Sequence, residues 1–339
     1  MATKIAINGF GRIGRCIVRA IADRGIKDLE LVAINDLTDA KTLGHLYNYD
    51  TVHGRAKHPV KCHEGTLEFA FGHAKILAER DPAKLPWKEL GVDVVLECTG
   101  LFTERDKAAL HLTAGAKKVL LSAPAKGQDA TIVLGVNGET YDAAKHHILS
   151  NGSCTTNCLA PVAKVILDNF GIKQGLMTTV HSYTNDQSVL DIPHRKGDLR
   201  RARAAAMNII PSSTGAAKAL AEVIPALKGK FDGLSLRVPT MDVSVVDLTL
   251  ETEKAVTKEA LHALMKAASE KGPLKDILGY TEEQLVSSDF IGDPRSSVFD
   301  GTLTQVMGDR FLKVFSWYDN EWGFSNRMVE LAQLVSSKL

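Results

Sequence analysis

The stretch KIAINGFGRIGRCIVRAIADR, residues 4–24, decides the fold. KIAING (4–9) is a short apolar run closed by glycine, and RIGRCIVRAIADR (12–24) carries apolar residues at helical spacing. Between them GFGRIG (9–14) fits G-x-G-x-x-G, with Gly9, Gly11 and Gly14 in the three glycine places. Such glycines permit a tight turn and let a pyrophosphate approach the backbone N–H groups at a helix N-terminus. The next strand-like run, LELVAIND (29–36), ends in Asp36, 22 residues beyond Gly14. A carboxylate there accepts hydrogen bonds from an adenosine ribose and repels a 2′-phosphate, so NAD is favoured over NADP. The alternative is a glycine turn used only for packing, beside a solvated Asp36.

Outward from this unit the alternation continues. VDVVLECTG (92–100), KKVLLSAP (117–124), ATIVLGV (130–136) and HILSN (147–151) read as strands without strict polar alternation, hence buried on both faces. Strands alternating with helices predict a doubly wound α/β domain with a parallel sheet. After residue 151 the rhythm changes. CLAPVAKVILDNF (158–170) reads as a helix, LMTTVHSYT (176–184) as a strand, and STGAAKALAEVIPALKG (213–229) as a helix. LSLRVP (234–239) and VSVVDLTLETE (243–253) are longer strands with period-2 character, which favours a mixed sheet in an α+β domain. TKEALHALMKAASEK (257–271) is an amphipathic helix with Thr257 as its cap, RFLKVFSWYD (310–319) a strand, and WGFSNRMVELAQLVSSKL the closing helix. The predicted organisation is a nucleotide domain over 1–151 and a second domain from 152, with the change in pattern as the boundary.

With 41 basic and 40 acidic residues, the surface as a whole is not tuned for nucleic acid or membrane. No apolar run is long enough for a transmembrane helix, and the N-terminus lacks a secretory leader pattern. Five cysteines in 339 residues do not make a disulfide framework, so a reducing cytoplasm is expected.

SNGSCTTNC (150–158) places Cys154 among small polar groups at a helix start. There the helix dipole favours a thiolate, and free backbone N–H groups stabilise an oxyanion. A zinc site lacks further ligands at suitable spacing, so no metal is expected, and Cys158, inside an apolar helical run, reads as a core thiol. A nucleophilic thiol needs a base. His181 ends the apolar strand LMTTV and opens the polar run SYTNDQ, a setting that also suits a core or sheet-edge histidine. Thiol, imidazole and NAD together point to aldehyde oxidation through a thioester.

With these pieces placed, the chain closely resembles the glyceraldehyde-3-phosphate dehydrogenase family over essentially its whole length. The motifs carrying the resemblance include INGFGRIGR (7–15), YDTVHG (49–54), SAPAK (122–126) and SCTTNCLAP (153–161). HSYTNDQ (181–187), NIIPSSTGAAKA (208–219), RVPT (237–240) and WYDNEWGFSNR (317–327) extend it. The resemblance implies a Rossmann domain over 1–151 completed by the C-terminal helix 320–339, a catalytic domain over 152–319 on a mixed sheet, NAD as cofactor and a homotetramer. Carried over by position, it implies Cys154 as nucleophile and His181 as base. It places Arg12, Ile13, Asp36, Arg80, Ser122 and Asn320 on the cofactor, beside the three glycines. Thr184 and Arg237 would hold the phosphate of glyceraldehyde 3-phosphate. Ser153, Thr155, Thr214 and Gly215 would hold the attacking inorganic phosphate, with Arg201 or its neighbour Arg200 alongside. For Thr214, ordinary helix capping is the competing role.

The basic segment HRKGDLRRAR (194–203) alone would suit a nucleic-acid patch or a solvated loop. The resemblance instead implies a loop crossing to a neighbouring subunit, longer than in some relatives at 196–197, with no dedicated nucleic-acid partner. Ile192–Pro193 resembles the NAD-using members. The sister erythrose-4-phosphate dehydrogenases share thiol and fold but depart from SYTNDQ and STGAAKA, the segments that build the phosphate sites. A cofactor-bound binding protein and a thiol hydrolase are the readings from other classes.

Overall fold

The computed structural model describes residues 2–195 and 197–339; Lys196, within the basic segment, lies outside the described residues. The chain divides into two compact units. The first comprises residues 1–132, 139–153 and 325–339, the second 133–138 and 154–324.

In the first unit seven strands run parallel, in the spatial order Ala130–Thr131, Ile148–Ser150, Lys118–Leu121, Val94–Glu97, Thr3–Asn8, Leu29–Asn35 and Gly72–Leu77. Two antiparallel strands, Thr66–Phe69 and Lys61–His63, extend the last edge. The chain winds outward from Thr3–Asn8, then returns to its other side with Val94–Glu97. That reversal opens a crevice at the carboxyl ends of these strands, where doubly wound sheets bind ligands. Ile5, Ala6, Ile7, Val94, Val95 and Leu96 are fully buried, as the unbroken apolar runs require. The closing helix, Trp322–Ser336, contributes its Ser325-onward part to this unit. There Arg24 donates to Asn326 and Glu330, and Gln333 donates to Asp28.

The second unit carries a seven-stranded mixed sheet in the order Ile210–Ser213, Phe231–Val238, Gln174–Ser182, Ser244–Glu251, Phe311–Tyr318, Ser297–Met307 and Leu278–Thr281. Two of its pairings are parallel and four antiparallel. Helices Cys154–Phe170, Ala216–Val223 and Lys258–Glu270 share one core with the sheet through Leu159, Ile166, Leu220, Leu261, Met177 and Leu312. Each such side chain, removed from water, contributes roughly 1.5–3 kcal/mol. In the strand register Leu176, Leu234, Phe311 and Met307 fall on the opposite face, and all four are exposed.

Some expectations changed. ATIVLGV is a strand only over Ala130–Thr131. Residues 133–138 leave the first unit. They form a turn in which Val136 and Asn137 N–H donate to the Val133 carbonyl and Gly135 takes φ +78°. The helix expected over 213–229 is confined to Ala216–Val223, because Ser213 still belongs to a strand and Pro225 opens a separate short 3-10 turn. Thr257 does cap its helix, accepting from Ala260 N–H at 3.2 Å.

Candidate active site

The crevice of the first unit, about 390 Å3, is lined by Asn8, Gly9, Gly11, Asp36, Arg80 and Thr99, among others. The three glycines have different reasons to be there. Gly9 takes φ +94°, and a Cβ on it would lie 2.8 Å from Thr99. A Cβ on Gly14 would lie 2.4 Å from the Gly9 carbonyl oxygen. Nothing stands within 4 Å of where a Cβ on Gly11 would be, so this glycine leaves space that the protein itself does not use. It precedes the helix Arg12–Asp23 and supplies no side-chain cap to it. An open backbone at a helix start is what a pyrophosphate requires, so the residues present fit a dinucleotide.

Asp36 is held beside this turn: Oδ2 accepts from Phe10 N–H at 2.8 Å and Oδ1 from Thr38 N–H at 3.0 Å. A carboxylate has about four lone-pair sites, so acceptor capacity remains for a ribose diol. Arg80 is exposed at the crevice rim, Ile13 is half-buried in the first helical turn, and Ser122 follows the strand Lys118–Leu121, its N–H on the Glu97 carbonyl. Arg12 serves differently from a phosphate-binding side chain. Its guanidinium makes a two-pronged bond to Asp50 in the YDTVHG segment, leaving its backbone at the turn. Burial pushes the Asp50 carboxyl up, but the Arg12 bonds and the His53 and Val52 N–H groups outweigh it and hold it at about 2. Arg19, from the same helix, donates to the Tyr47 and Gly54 carbonyls and closes the clamp on that segment.

In the second unit Cys154 is the first residue of the helix Cys154–Phe170, and His181 lies near the end of the strand Gln174–Ser182. Cys154 Sγ stands 3.5 Å from His181 Nε2. His181 Nδ1 is 2.7 Å from the Ser182 carbonyl; two bare acceptors at that distance would repel, so Nδ1 carries the proton. Nε2 therefore presents a lone pair to the thiol. Arg237 Nη1 stands 2.9 Å from His181 Nδ1, 3.0 Å from the Ser182 carbonyl and 3.1 Å from Thr184 Oγ1; its two hydrogens serve the two oxygens when Nδ1 donates to Ser182. Tyr318 fixes the pair from beneath: its hydroxyl meets Thr155 Oγ1 at 2.9 Å and Thr179 Oγ1 at 2.7 Å, joining helix start to strand. Thr155 is thus buried with its hydroxyl shared with Tyr318.

The helix start does not by itself make the thiol acidic. Burial pushes the Cys154 thiol up, while Arg237 and the Thr155 side chain and N–H pull it back only in part. Burial, then the Arg237 charge, lowers His181 to about 3, against the Ser182 bond that raises it. Proton on sulfur and a neutral imidazole facing it is the resting arrangement. Cys158 is fully buried, with Sγ 3.5 Å from Ser297 Oγ, and burial raises it to about 12.

Several candidate anion ligands sit around this pair. Thr184 Oγ1 donates to Asp186, whose other oxygen accepts from Arg201 Nη1 at 2.5 Å. Arg201, not the exposed Arg200, reaches this cluster, with Nε also 3.4 Å from Ser212 Oγ. Arg237 Nε and Gln187 Nε2 are buried without a hydrogen-bond partner among the described residues, donor capacity left for an anion. Thr214 Oγ1 accepts from Ala216 N–H at 3.2 Å, a local turn bond one residue before the N-cap, which is the exposed Gly215. Ser153 directly precedes Cys154 and is half-buried. Asn320 is oriented by Ser244, whose Oγ donates to its Oδ1 at 2.7 Å and accepts from Ser182 N–H at 3.1 Å. Tyr318, Asp186, Ser244 and Asp50 were not singled out from sequence. Tyr318, Asp186 and Asp50 lie within the motifs that carry the resemblance, whereas nothing in the strand pattern marks Ser244.

Two family profiles match the chain. The one described as glyceraldehyde 3-phosphate dehydrogenase, NAD binding domain, covers residues 3–105, and its C-terminal domain counterpart covers 153–320. The chain is 57% identical to glyceraldehyde-3-phosphate dehydrogenase of Geobacillus stearothermophilus, covering 100% of this chain and 99% of that one. It is 55% identical to that of Streptomyces coelicolor, covering 100% of each. It is 56% identical to glyceraldehyde-3-phosphate dehydrogenase 1 of Bacillus subtilis, covering 100% and 99%.

The glycine geometry separates fold from binding. Gly14→Ala is expected to lose about 1–3 kcal/mol of stability in denaturant unfolding. Gly11→Ala should unfold within about 0.5 kcal/mol of the parent yet bind NAD roughly tenfold or more weakly in calorimetry. The thiol offers a pH test. Alkylation of Cys154 by iodoacetamide should rise with pH as the thiolate forms. Arg237→Leu removes a charge that lowers the thiol, so its profile should move to higher pH by on the order of one unit, and Arg237→Lys should move it less.

Proposed function

The chain belongs to the glyceraldehyde-3-phosphate dehydrogenase family, and from that premise we propose the part each residue takes in oxidising glyceraldehyde 3-phosphate to 1,3-bisphosphoglycerate. The enzyme is an NAD-dependent oxidoreductase of glycolysis. Gly9, Gly11, Gly14, the Arg12–Ile13 backbone, Asp36, Arg80 and Ser122 hold the dinucleotide, and Asn320, pinned by Ser244, orients its carboxamide. When bound, NAD supplies the hydride acceptor.

Thr184 and Arg237 hold the phosphate of the substrate. Cys154 sulfur adds to the aldehyde carbon while His181 Nε2 takes the thiol proton and passes it to the new oxygen, giving a hemithioacetal. Nε2 then takes the hydroxyl proton as that carbon is oxidised, leaving a thioester on Cys154. Inorganic phosphate, held by Ser153, Thr155, Thr214, Gly215 and Arg201, attacks the thioester carbon; the sulfur leaves and recovers its proton from the imidazole. The observation that carries this reading is the 3.5 Å approach of Sγ to an imidazole nitrogen whose other nitrogen is fixed as a donor.

A homotetramer completes the proposal. Leu176, Leu234, Phe311 and Met307 expose one apolar sheet face, and Val189, Leu190, Ile192 and Leu199 expose another apolar surface on the loop before the phosphate segment. Faces of this kind are covered in stable oligomers. A cytoplasmic setting suits five cysteines that all carry free thiols; no helix among the described residues is long and apolar enough to cross a membrane.

Cys154→Ser should lower turnover by at least about a thousandfold while NAD binding persists. NADH formation by the parent should require phosphate or arsenate, and phosphate-independent turnover would overturn the phosphorolytic step. Light scattering on an eluting column should give the mass of four chains; a stable monomer would remove the oligomer proposal.

A further inference from the structure

Beneath the dinucleotide crevice lies a buried polar chain that none of the binding roles above uses. Trp87, His111, Glu97, Asn8 and Asn35 are each at most 4% exposed. Trp87 Nε1 donates to His111 Nδ1 at 3.0 Å. An indole N–H can only donate, so His111 is neutral with its proton on Nε2, which donates to Glu97 Oε2 at 3.0 Å. The same oxygen accepts from Asn8 Nδ2 at 2.6 Å. Glu97 Oε1 accepts from Thr99 N–H at 2.8 Å and from Thr99 Oγ1 at 2.5 Å. Asn8 Oδ1 accepts from Asn35 Nδ2 at 2.7 Å. Asn35 in turn holds the Glu79 peptide from both sides, donating to its carbonyl and accepting from its N–H, each at 2.8 Å.

Every proton direction in this chain is forced, since it begins on one obligate donor, the indole, and ends on another, the Glu79 N–H. Its members also stand at meaningful places. Asn8 immediately precedes Gly9, Asn35 precedes Asp36, Glu79 precedes Arg80, and Glu97 carries the turn that brings Thr99 against Gly9. Four turns at the ends of four neighbouring parallel strands make the crevice, and one hydrogen-bond chain ties all four.

We propose that Glu97 and His111, with Asn8 and Asn35, are positioning residues for the dinucleotide: anchored on the Trp87 N–H, they set the mutual register of the crevice turns. A hydrogen-bond ladder fixes strands only up to their last paired residue. The turns beyond need another constraint, and a buried carboxylate and imidazole with every site filled, joined by two buried amides, provide it. His111 itself is fully buried and is not among the crevice-lining residues, so it acts only through Glu97.

His111→Gln keeps an acceptor for Trp87 and a donor for Glu97, whereas His111→Leu keeps neither. The expected result is an NAD Kd within about twofold of the parent for the first and roughly tenfold weaker for the second. Turnover at saturating NAD and the KM for the aldehyde should stay at parental values. Trp87→Phe, which retains an aromatic ring and deletes the N–H, should weaken NAD by about threefold and decides the matter if His111→Leu does not fold. A folded variant that melts earlier but binds NAD like the parent overturns the proposal, as does a glutamine variant no better than leucine. The inference rests on the crevice being the NAD site. Parental protein that fails to bind NAD would sink that assignment, while normal parental binding with unaffected variants sinks only the positioning role.

Discussion

The 3.5 Å contact between Cys154 and His181 joins a helix start to a strand end, and much of the second unit exists to hold those two ends together. The helix body is anchored by buried Leu159, Val162, Ala163 and Ile166, so its first residue has little freedom to move. Tyr318, on a third element, bridges Thr155 and Thr179 and fixes the separation from below. That anchoring has an electrostatic consequence. The packing that places the thiol also desolvates it, and burial opposes charge on both partners. Arg237 then acts on the two in opposite senses, helping a thiolate and hindering an imidazolium. A neutral imidazole with a free lone pair is the form a general base needs.

The first unit solves a different problem. Parallel strands bring their carboxyl ends to one edge, and the reversal of strand order beside Thr3–Asn8 parts the connections there. The surface so formed consists of turns, the most mobile kind of backbone. Two devices stiffen it from opposite sides. Arg12 and Arg19 clamp the segment after Tyr47 onto the first helix, and the Glu97 chain knits the crevice floor. Both place charged or polar groups under cover with nearly all valences used, the condition under which buried polarity rigidifies a fold.

Much of the fold was legible because its signals are local. A strand, a glycine turn, a helix and a terminal acid within 4–36 specify the nucleotide-binding unit through backbone sterics and burial on both sheet faces. The errors have equally plain causes. ATIVLGV has the composition of a buried strand, yet Gly135 at φ +78° turns it away after Thr131. The Ala-rich pattern at 213–229 continued past Pro225, where the backbone could not. Of the candidate site, the thiol Cys154, the imidazole His181, the acid Asp36 and the threonines Thr155, Thr184 and Thr214 could be named. Their partners could not, because Ser244, Tyr318, Asp50 and His111 lie tens of residues away in sequence and carry no periodic signature.

By itself, then, the sequence determined which residue types stand at which turns: glycines before a helix, a thiol at a helix start, a histidine at a strand end. It did so because turn sterics and helix termini are properties of a few consecutive residues. Only the tertiary structure decided the protonation chemistry and the division of labour. Arg12 became a clamp when the fold brought Asp50 to it, and Arg201 was joined to Thr184 through Asp186. The proton came to rest on sulfur because desolvation depends on everything packed around a group, and no stretch of chain carries that information alone.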